Sequence, residues 1–109
     1  MPMGKDSEKP VKKGRPIKAR IVHREPGTKQ FSPRGRRGRP GYNALKHEEL
    51  EAIRLADFTG LKQAEAAEQM NISQQTFSRV LRSGRKCLAE AIVLGHIIKV
   101  DGGDFKLEK

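Results

Sequence analysis

Apolar residues recur every three or four positions along two stretches in the second half of the chain. The first stretch runs from Leu61 to Met70 and the second from Phe77 to Ile92. This spacing predicts two helices, each of which buries one face. Residues 71–73 separate them, where an asparagine tolerates the left-handed conformation at a helix end and a serine can cap the next helix. The sequence therefore predicts two helices joined by a three-residue turn.

A third helix is predicted before these two, over Lys46–Asp57. Leu45, Leu50 and Ile53 recur along one of its faces. Its glutamates suit the positive N-terminal end of a helix, and residues 48–68 hold six acidic and two basic side chains. We expect these acidic groups to face away from a negatively charged partner and so to orient the folded part on it.

Two short segments have the alternation and the β-branched residues of strands. They are Lys18–His23 and Ile97–Val100. Because each is too short to be stable alone, we expect them to pair as a two-stranded ribbon that packs on the helices. The alternatives are that Ile21 and Val22 are disordered, or that each segment pairs with another copy of the chain. The predicted fold is mainly α, a small helix-turn-helix bundle with one short β-ribbon.

The chain carries a net charge of +10, and all of the excess lies before residue 42. Residues 1–41 hold 13 lysines and arginines against 3 acidic residues, whereas residues 42–109 hold 10 of each. The first part has too few large apolar residues to fold alone. We therefore predict two parts, a largely extended basic N-terminal arm over 1–41 and a helix-turn-helix domain over 42–109.

Charge and hydropathy also restrict the partners and the location. A strongly basic chain favours nucleic acid or an anionic membrane surface as its partner. The sequence has no run of 18 apolar residues and no apolar segment after the first lysines, which argues against a membrane span and a secretory signal. We expect a cytoplasmic protein that does not enter a membrane. One cysteine and three scattered histidines predict no internal disulfide, no metal site and no cofactor.

The polar face of the helix over residues 74–86 carries the residue types that contact DNA. Glutamine amides pair with adenine, arginine guanidinium groups pair with guanine, and hydroxyl or cationic groups contact phosphate. The predicted base-contacting residues are Gln74, Gln75, Ser78 and Arg79. The predicted phosphate contacts are Ser73, Arg82, Arg85 and Lys86.

A plain amphipathic helical hairpin is the alternative interpretation of this region. The spacing favours a DNA-binding helix-turn-helix, because such motifs have a polar start, a small residue, a turn former and two core apolar residues at set places. The residues at those places are Gln63, Ala67, Asn71, Phe77 and Val80.

The basic arm contains a repeat, since Gly14-Arg15-Pro16 recurs as Gly38-Arg39-Pro40. The second copy resembles the core of an AT-hook, an extended segment that lays its guanidinium groups along a narrow A·T-rich minor groove. The alternatives are a basic linker that touches phosphates only and a turn that serves the fold. The predicted arm contacts with DNA are Arg15, Arg34, Arg36, Arg37 and Arg39.

Three motifs together resemble a known family of small prokaryotic proteins, uncharacterised protein family 0251, also called domain of unknown function 134. The motifs are EAIRLAD at residues 51–57, EAAEQM at 65–70 and ISQQTFSR at 72–79, and the resemblance spans 14–105. The family's helix-turn-helix is similar to region 4 of bacterial sigma factors. That similarity implies a winged-helix-like or tetrahelical DNA-binding unit and a transcriptional regulator. Some members have a cysteine where this chain has Ala19, a departure that leaves metal or redox sensing without support here.

We expect a sequence-specific bacterial regulator that binds double-stranded DNA. The alternatives are a low-specificity nucleoid-type binder that uses its arm and a module that contacts RNA polymerase. The sequence shows no paired carboxylates, nucleophile and base, or phosphate-binding loop that would indicate an enzyme. We also expect a homodimer whose contact involves Ile92–Val100, where a free strand would be available for pairing.

Overall fold

Three helices and five short strands form the part of the chain that the computed structural model describes, residues 20–23, 27–35, 38–103 and 105–107. In chain order they are β1 (Arg20–Val22), β2 (Gln30–Phe31), β3 (Tyr42–Leu45), α1 (His47–Ile53), α2 (Gln63–Gln69), α3 (Gln74–Leu94), β4 (Ile97–Val100) and β5 (Phe105–Leu107). A π-helical turn, Arg54–Phe58, directly follows α1. The described chain is mainly helical, and none of its helices is both long and apolar enough to cross a membrane.

The two predicted helices and the turn between them are present as α2, residues 71–73 and α3. Asn71 has a φ of 58°, in the left-handed region that asparagine tolerates. The Ser73 hydroxyl accepts a hydrogen bond of 3.1 Å from the backbone N–H of Thr76 and so caps α3. At the other end, Gly95 has a φ of 70° and stops the helix. Local side-chain chemistry therefore sets both ends of α3.

The core lies among α1, α2 and the N-terminal half of α3. Phe77 is fully buried at its centre, and the small side chains of Ala66 and Ala67 let α3 approach α2 closely. The buried residues of this cluster are Ala52, Leu55, Ala66, Ala67, Met70, Phe77 and Leu81. This packing fixes which face of α3 points outward.

α1 and α3 cross at Gly84. A Cβ atom added there would lie 3.0 Å from the Cβ of Glu49 and 3.2 Å from its backbone oxygen. The absence of a side chain thus permits a close approach, and this accounts for a glycine inside a helix, where it costs about 1 kcal/mol relative to alanine.

The strands pair differently from the sequence prediction. β4 is the central strand of a three-stranded sheet, parallel to β3 on one side and antiparallel to β2 on the other. β1 pairs instead with β5, in parallel. The expected ribbon between 18–23 and 97–100 was therefore wrong, because Tyr42–Leu45 offers β4 a longer partner whose Leu45 is buried beside Val100.

The two strands that precede residue 41 belong to the folded body. Val22 is buried, and the backbone N–H of Ile21 donates to the carbonyl of Met70 over 3.1 Å. Both β1 and β2 pair with strands that follow α3. The fold therefore extends across the predicted boundary at residue 41. β1 and β2 lie in segments too polar to fold alone, and they pair with strands that come after α3.

Candidate nucleic-acid interface

One face of α3 carries an exposed row of polar and basic side chains. The row consists of Gln75, Arg79, Arg82 and Lys86, and all four are exposed. They follow one another at intervals of three or four residues, so they lie on one side of the helix. Phe77 is buried on the opposite side, which holds this α3 row outward.

The other predicted base-contacting residues lie off this row. Ser78 is half-buried at its edge. Gln74 is exposed, but it lies about 100° around the helix from Gln75 and lines a groove formed with Ala64 and Glu68 of α2. The structure thus brings Gln75 and Arg79 together and places Gln74 beside α2.

Ser73 has a structural role at the start of α3. Its oxygen accepts from the Thr76 backbone N–H, and its hydroxyl donates to Thr76 Oγ1 over 3.0 Å. A phosphate contact from this hydroxyl would require that it leave Thr76 Oγ1. The Ser73 hydroxyl is therefore already used both as a hydrogen-bond acceptor and as a donor.

Arg85 differs from the cations of the α3 row because it forms an ion pair. Its guanidinium donates to both carboxylate oxygens of Asp57, at 2.7 and 3.1 Å. This contact lowers the pKa of Asp57 and raises the pKa of Arg85. Arg79, Arg82 and Lys86 form no ion pair within the described residues. Because Asp57 already neutralises the charge of Arg85, Arg82 and Lys86 are better placed to contact an anion.

The glutamates of α1 do not face solvent, contrary to the sequence prediction. Glu48, Glu49 and Glu51 are 5, 5 and 3% exposed. Glu49 accepts from the backbone N–H of Lys46 over 2.9 Å and also from the hydroxyl of Ser83 on α3. The close crossing of α1 and α3 encloses Glu49, and these donors offset its desolvation.

Glu51 is the second glutamate of α1 that accepts several hydrogen bonds. Its carboxylate accepts two hydrogen bonds from Arg54, at 2.9 and 3.0 Å, and one of 3.4 Å from the backbone N–H of His23. These contacts raise the pKa of Arg54, with the hydrogen bond as the main cause. The carboxylates of α1 thus join α1 to α3 and to the segment after β1.

The predicted arm residues that the structure describes, Arg34 and Arg39, lie exposed in the connection between β2 and β3. Gly35 and Gly38 each have a φ of 75°, so the chain turns at these positions rather than running fully extended. Arg34 lies in a groove with Ile92, near the C-terminal end of α3 and far from Gln75. The predicted contacts Arg15, Arg36 and Arg37 lie outside the described residues.

The described residues include three histidines and one cysteine, side chains that can bind metal ions. Within them, no three histidine, cysteine, aspartate or glutamate side chains come together in a way that could hold a metal ion. Burial, followed by the charge of Glu49, raises the pKa of the half-buried Cys87 thiol. A thiol with a raised pKa is less often the reactive thiolate at neutral pH.

A family model described as "Protein of unknown function DUF134" matches residues 10–108. The chain belongs to the DUF134 family. The matched range includes every helix and strand described above, from β1 to β5, and therefore the whole α3 row. The resemblance inferred from the three motifs is therefore confirmed at the level of the family.

Several curated relatives carry the name UPF0251 protein. That of Caldicellulosiruptor saccharolyticus is 46% identical over 91 residues, covering 84% of this chain and 64% of the relative. Those of Dehalococcoides mccartyi and Thermoanaerobacter pseudethanolicus are 43 and 44% identical over 95 and 94 residues, covering 86 and 85% of this chain and 81 and 80% of the relatives. The DUF134 chain thus spans a little under two thirds of the Caldicellulosiruptor protein. No solved structure matches the chain described here.

Proposed function

We propose that this protein binds double-stranded DNA with sequence specificity and regulates transcription, with the N-terminal half of α3 in the major groove. The observation that carries the proposal is the exposed α3 row on a helix that follows a capped three-residue turn. The major groove of B-DNA admits an α-helix, and glutamine and arginine are the side chains that distinguish adenine and guanine there. In this proposal α2, the turn and α3 form a helix-turn-helix braced by α1, as in region 4 of sigma factors.

The proposal assigns two different roles to the residues of the α3 row. Recognition helices contact base edges with their N-terminal residues. Gln75 and Arg79 therefore contact bases in this proposal, with Ser78 beside them. Arg82 and Lys86 lie one to three turns further along, where the helix leaves the groove, and contact phosphates. Contacts with phosphate position the protein, whereas contacts with bases provide specificity.

The experiment is a selection of bound sequences from random DNA with the full chain, followed by affinity measurements on the selected site and on a scrambled one. We expect Arg79→Ala and Gln75→Ala each to weaken binding to the selected site by about 1–3 kcal/mol and to affect the scrambled site much less. Equal losses on both sites would reduce these residues to phosphate contacts. Failure to enrich any sequence would favour a low-specificity binder.

Arg85→Ala is the matched control. It removes the same charge from the same helix, but from a guanidinium that Asp57 already binds at 2.7 Å. We expect it to weaken binding less than Arg82→Ala does, on selected and scrambled DNA alike. A loss as large as that of Arg82→Ala would mean that DNA displaces Asp57 and that the α3 row is not the whole contact.

A further inference from the structure

A groove runs along one side of the α3 row, between α3 and the chain that leads from β3 into α1. It consists of two adjoining cavities, of about 270 and 450 Å³, that share Lys46, Glu49 and Ser83. Arg79 lines the smaller cavity and Lys86 lines the larger one. The two cavities together form the Ser83 groove, which has residues of the α3 row along one edge and Lys46 on the other.

We propose that one strand of the DNA backbone lies along the Ser83 groove, and that Lys46 contacts a phosphate of the same strand that Lys86 contacts. This inference rests on the proposed function, which supplies the DNA. It adds a phosphate contact from outside α2, the turn and α3, at a residue whose sequence pattern indicates only the start of a helix.

The charges along the rim of the groove suit a phosphate strand. Lys46, Arg79 and Lys86 are all exposed, and in the part of the chain that the structure describes none of them forms an ion pair. Arg20 adds another basic side chain to the smaller cavity. Arg79 and Lys86 are seven positions apart, roughly 10 Å along α3. One DNA strand carries a phosphate about every 3.4 Å of helix axis, so a strand along this edge brings several phosphates within reach.

Three carboxylates of the described residues also line the groove, but they leave its rim basic. Glu48 and Glu49 are each 5% exposed and lie on its floor. Glu90 is exposed, yet it lies one turn beyond Lys86, and the side-chain amide of Asn43 donates to it over 2.9 Å. An anion that approaches along α3 therefore meets the cationic side chains first.

The other side of the α3 row is less favourable to a phosphate. At 100° per residue, Ser83 lies about 70° to one side of the row's mean direction, and Arg85 lies about 90° to the other. Arg85 is bound there by Asp57, whose carboxylate is 43% exposed. A phosphate on that side would meet an exposed carboxylate, whereas on the Ser83 side it meets Lys46. The strand therefore lies on the Ser83 side.

The fold holds Lys46 in position through the backbone. Its neighbour Leu45 is buried at the end of β3. The backbone N–H of Lys46 donates to Glu49 over 2.9 Å, and that of His47 donates to the carbonyl of Gly102 over 3.2 Å. With its backbone already fixed, Lys46 loses less conformational freedom on binding than a lysine in a mobile segment would.

The test is the salt dependence of binding to a duplex of random sequence, measured by fluorescence anisotropy with the full chain. We expect Lys46→Ala to lower the slope of log affinity against log salt by about 1. At about 0.1 M salt it should weaken binding roughly eightfold, the factor that the release of one counterion contributes. Lys46→Arg keeps the charge and should keep the slope. Circular dichroism checks that both variants fold, and an unchanged slope in Lys46→Ala would overturn the inference.

Arg85→Ala is the matched control, because it removes an equal charge from the opposite side of the α3 row. We expect it to lower the slope less than Lys46→Ala does, since Asp57 already binds the guanidinium. Equal reductions in the two variants would mean that the strand does not prefer the Ser83 groove, and the inference would fail.

A second measurement locates the contact on a selected site. Each phosphate in turn is replaced by an uncharged methylphosphonate, and at one of them Lys46→Ala should have no further effect. Lys86→Ala should show the same coupling at that phosphate or at a neighbour on the same strand. Lys62 precedes α2 as Lys46 precedes α1, and its backbone N–H likewise donates to a glutamate three positions later, over 3.1 Å. Lys62→Ala should therefore keep its full effect at the phosphate coupled to Lys46. Coupling of Lys46 and Lys86 to opposite strands would refute the inference.

The outcomes also separate this inference from the proposed function. A lower slope in Lys46→Ala, with a chain that selects no sequence, would support the Ser83 groove and refute sequence-specific regulation. A chain that selects a sequence but keeps its slope in Lys46→Ala would do the reverse. Failure to bind any duplex would overturn both.

Discussion

α1 and α3 are both charged helices, but α1 buries its acidic side chains whereas α3 exposes its basic ones. The glutamates of α1 are buried, where Glu49 accepts hydrogen bonds from Ser83 and from the backbone of Lys46. The α3 row is exposed and forms no ion pair within the described residues. The difference teaches that the glutamates of α1 contribute to the fold and that the basic side chains of the α3 row face solvent, where a partner can reach them. Stability should therefore depend on the facing sides of both helices, and binding on the outer side of α3.

The largest expected effect is on the buried side of α3. Phe77→Ala should lower the free energy of unfolding by about 3–5 kcal/mol, because the ring is fully buried and its removal leaves a cavity. Urea denaturation of the variant and of the unchanged chain measures this difference. A midpoint that does not move would contradict the packing of α3 on α1 and α2.

The next effect concerns the buried side of α1. Glu49→Ala should lower the free energy of unfolding by about 2–4 kcal/mol, because Ser83 and the backbone N–H of Lys46 both lose a charged acceptor. Glu49→Gln keeps the size and one acceptor oxygen, so its loss should be smaller. Thermal melts of both variants measure the difference. A more stable Glu49→Ala would mean that desolvation of the carboxylate outweighs its hydrogen bonds.

The exposed side of α3 should respond in the opposite way. Arg82→Ala and Lys86→Ala should each change the free energy of unfolding by less than about 0.5 kcal/mol, since both side chains are exposed. On DNA, each should reduce the slope of log affinity against log salt by about 1, because each removes one phosphate contact. Fluorescence anisotropy over a range of salt concentrations provides the slope. Large losses of stability here would end the contrast between the two helices.

A smaller effect than those on the buried side chains concerns Asp57 and Arg85, the ion pair at the side of α3. Its hydrogen bond to Arg85 lowers the pKa of Asp57, so the pair stabilises the fold above the unfolded pKa near 4, and the contribution is lost as pH falls through the lower folded pKa. Because both side chains are about half exposed, we expect less than about 1 kcal/mol. Urea denaturation between about pH 2 and 6 measures this contribution as the difference in stability between the unchanged chain and Asp57→Asn, which should shrink as pH falls.

Local chemistry explains what the sequence could predict. Asn71 and Ser73 specify the turn through their own backbone and side-chain preferences, and Gly95 ends α3 in the same way. The buried glutamates could not be predicted, because an acidic first turn fits an exposed helix equally well. The burial of Glu49, for example, depends on a crossing at Gly84 with a helix more than 30 positions away. Strand partners were missed for the same reason, since β4 takes both of its neighbours from the distant N-terminal side.

The parallel pairing of β1 with β5 has a consequence for the order in which the chain folds. Arg20 pairs with Phe105, about 85 positions later, and closing a loop of that length costs roughly 4 kcal/mol of chain entropy in its length-dependent part alone. The contacts among α2, the turn and α3 close much shorter loops. Once that unit has formed, it shortens the length of flexible chain that remains to be closed between β1 and β5. We therefore expect the outer surface of α3 to be assembled before β1 and β5 pair, and the strand pair to add its stability only afterwards.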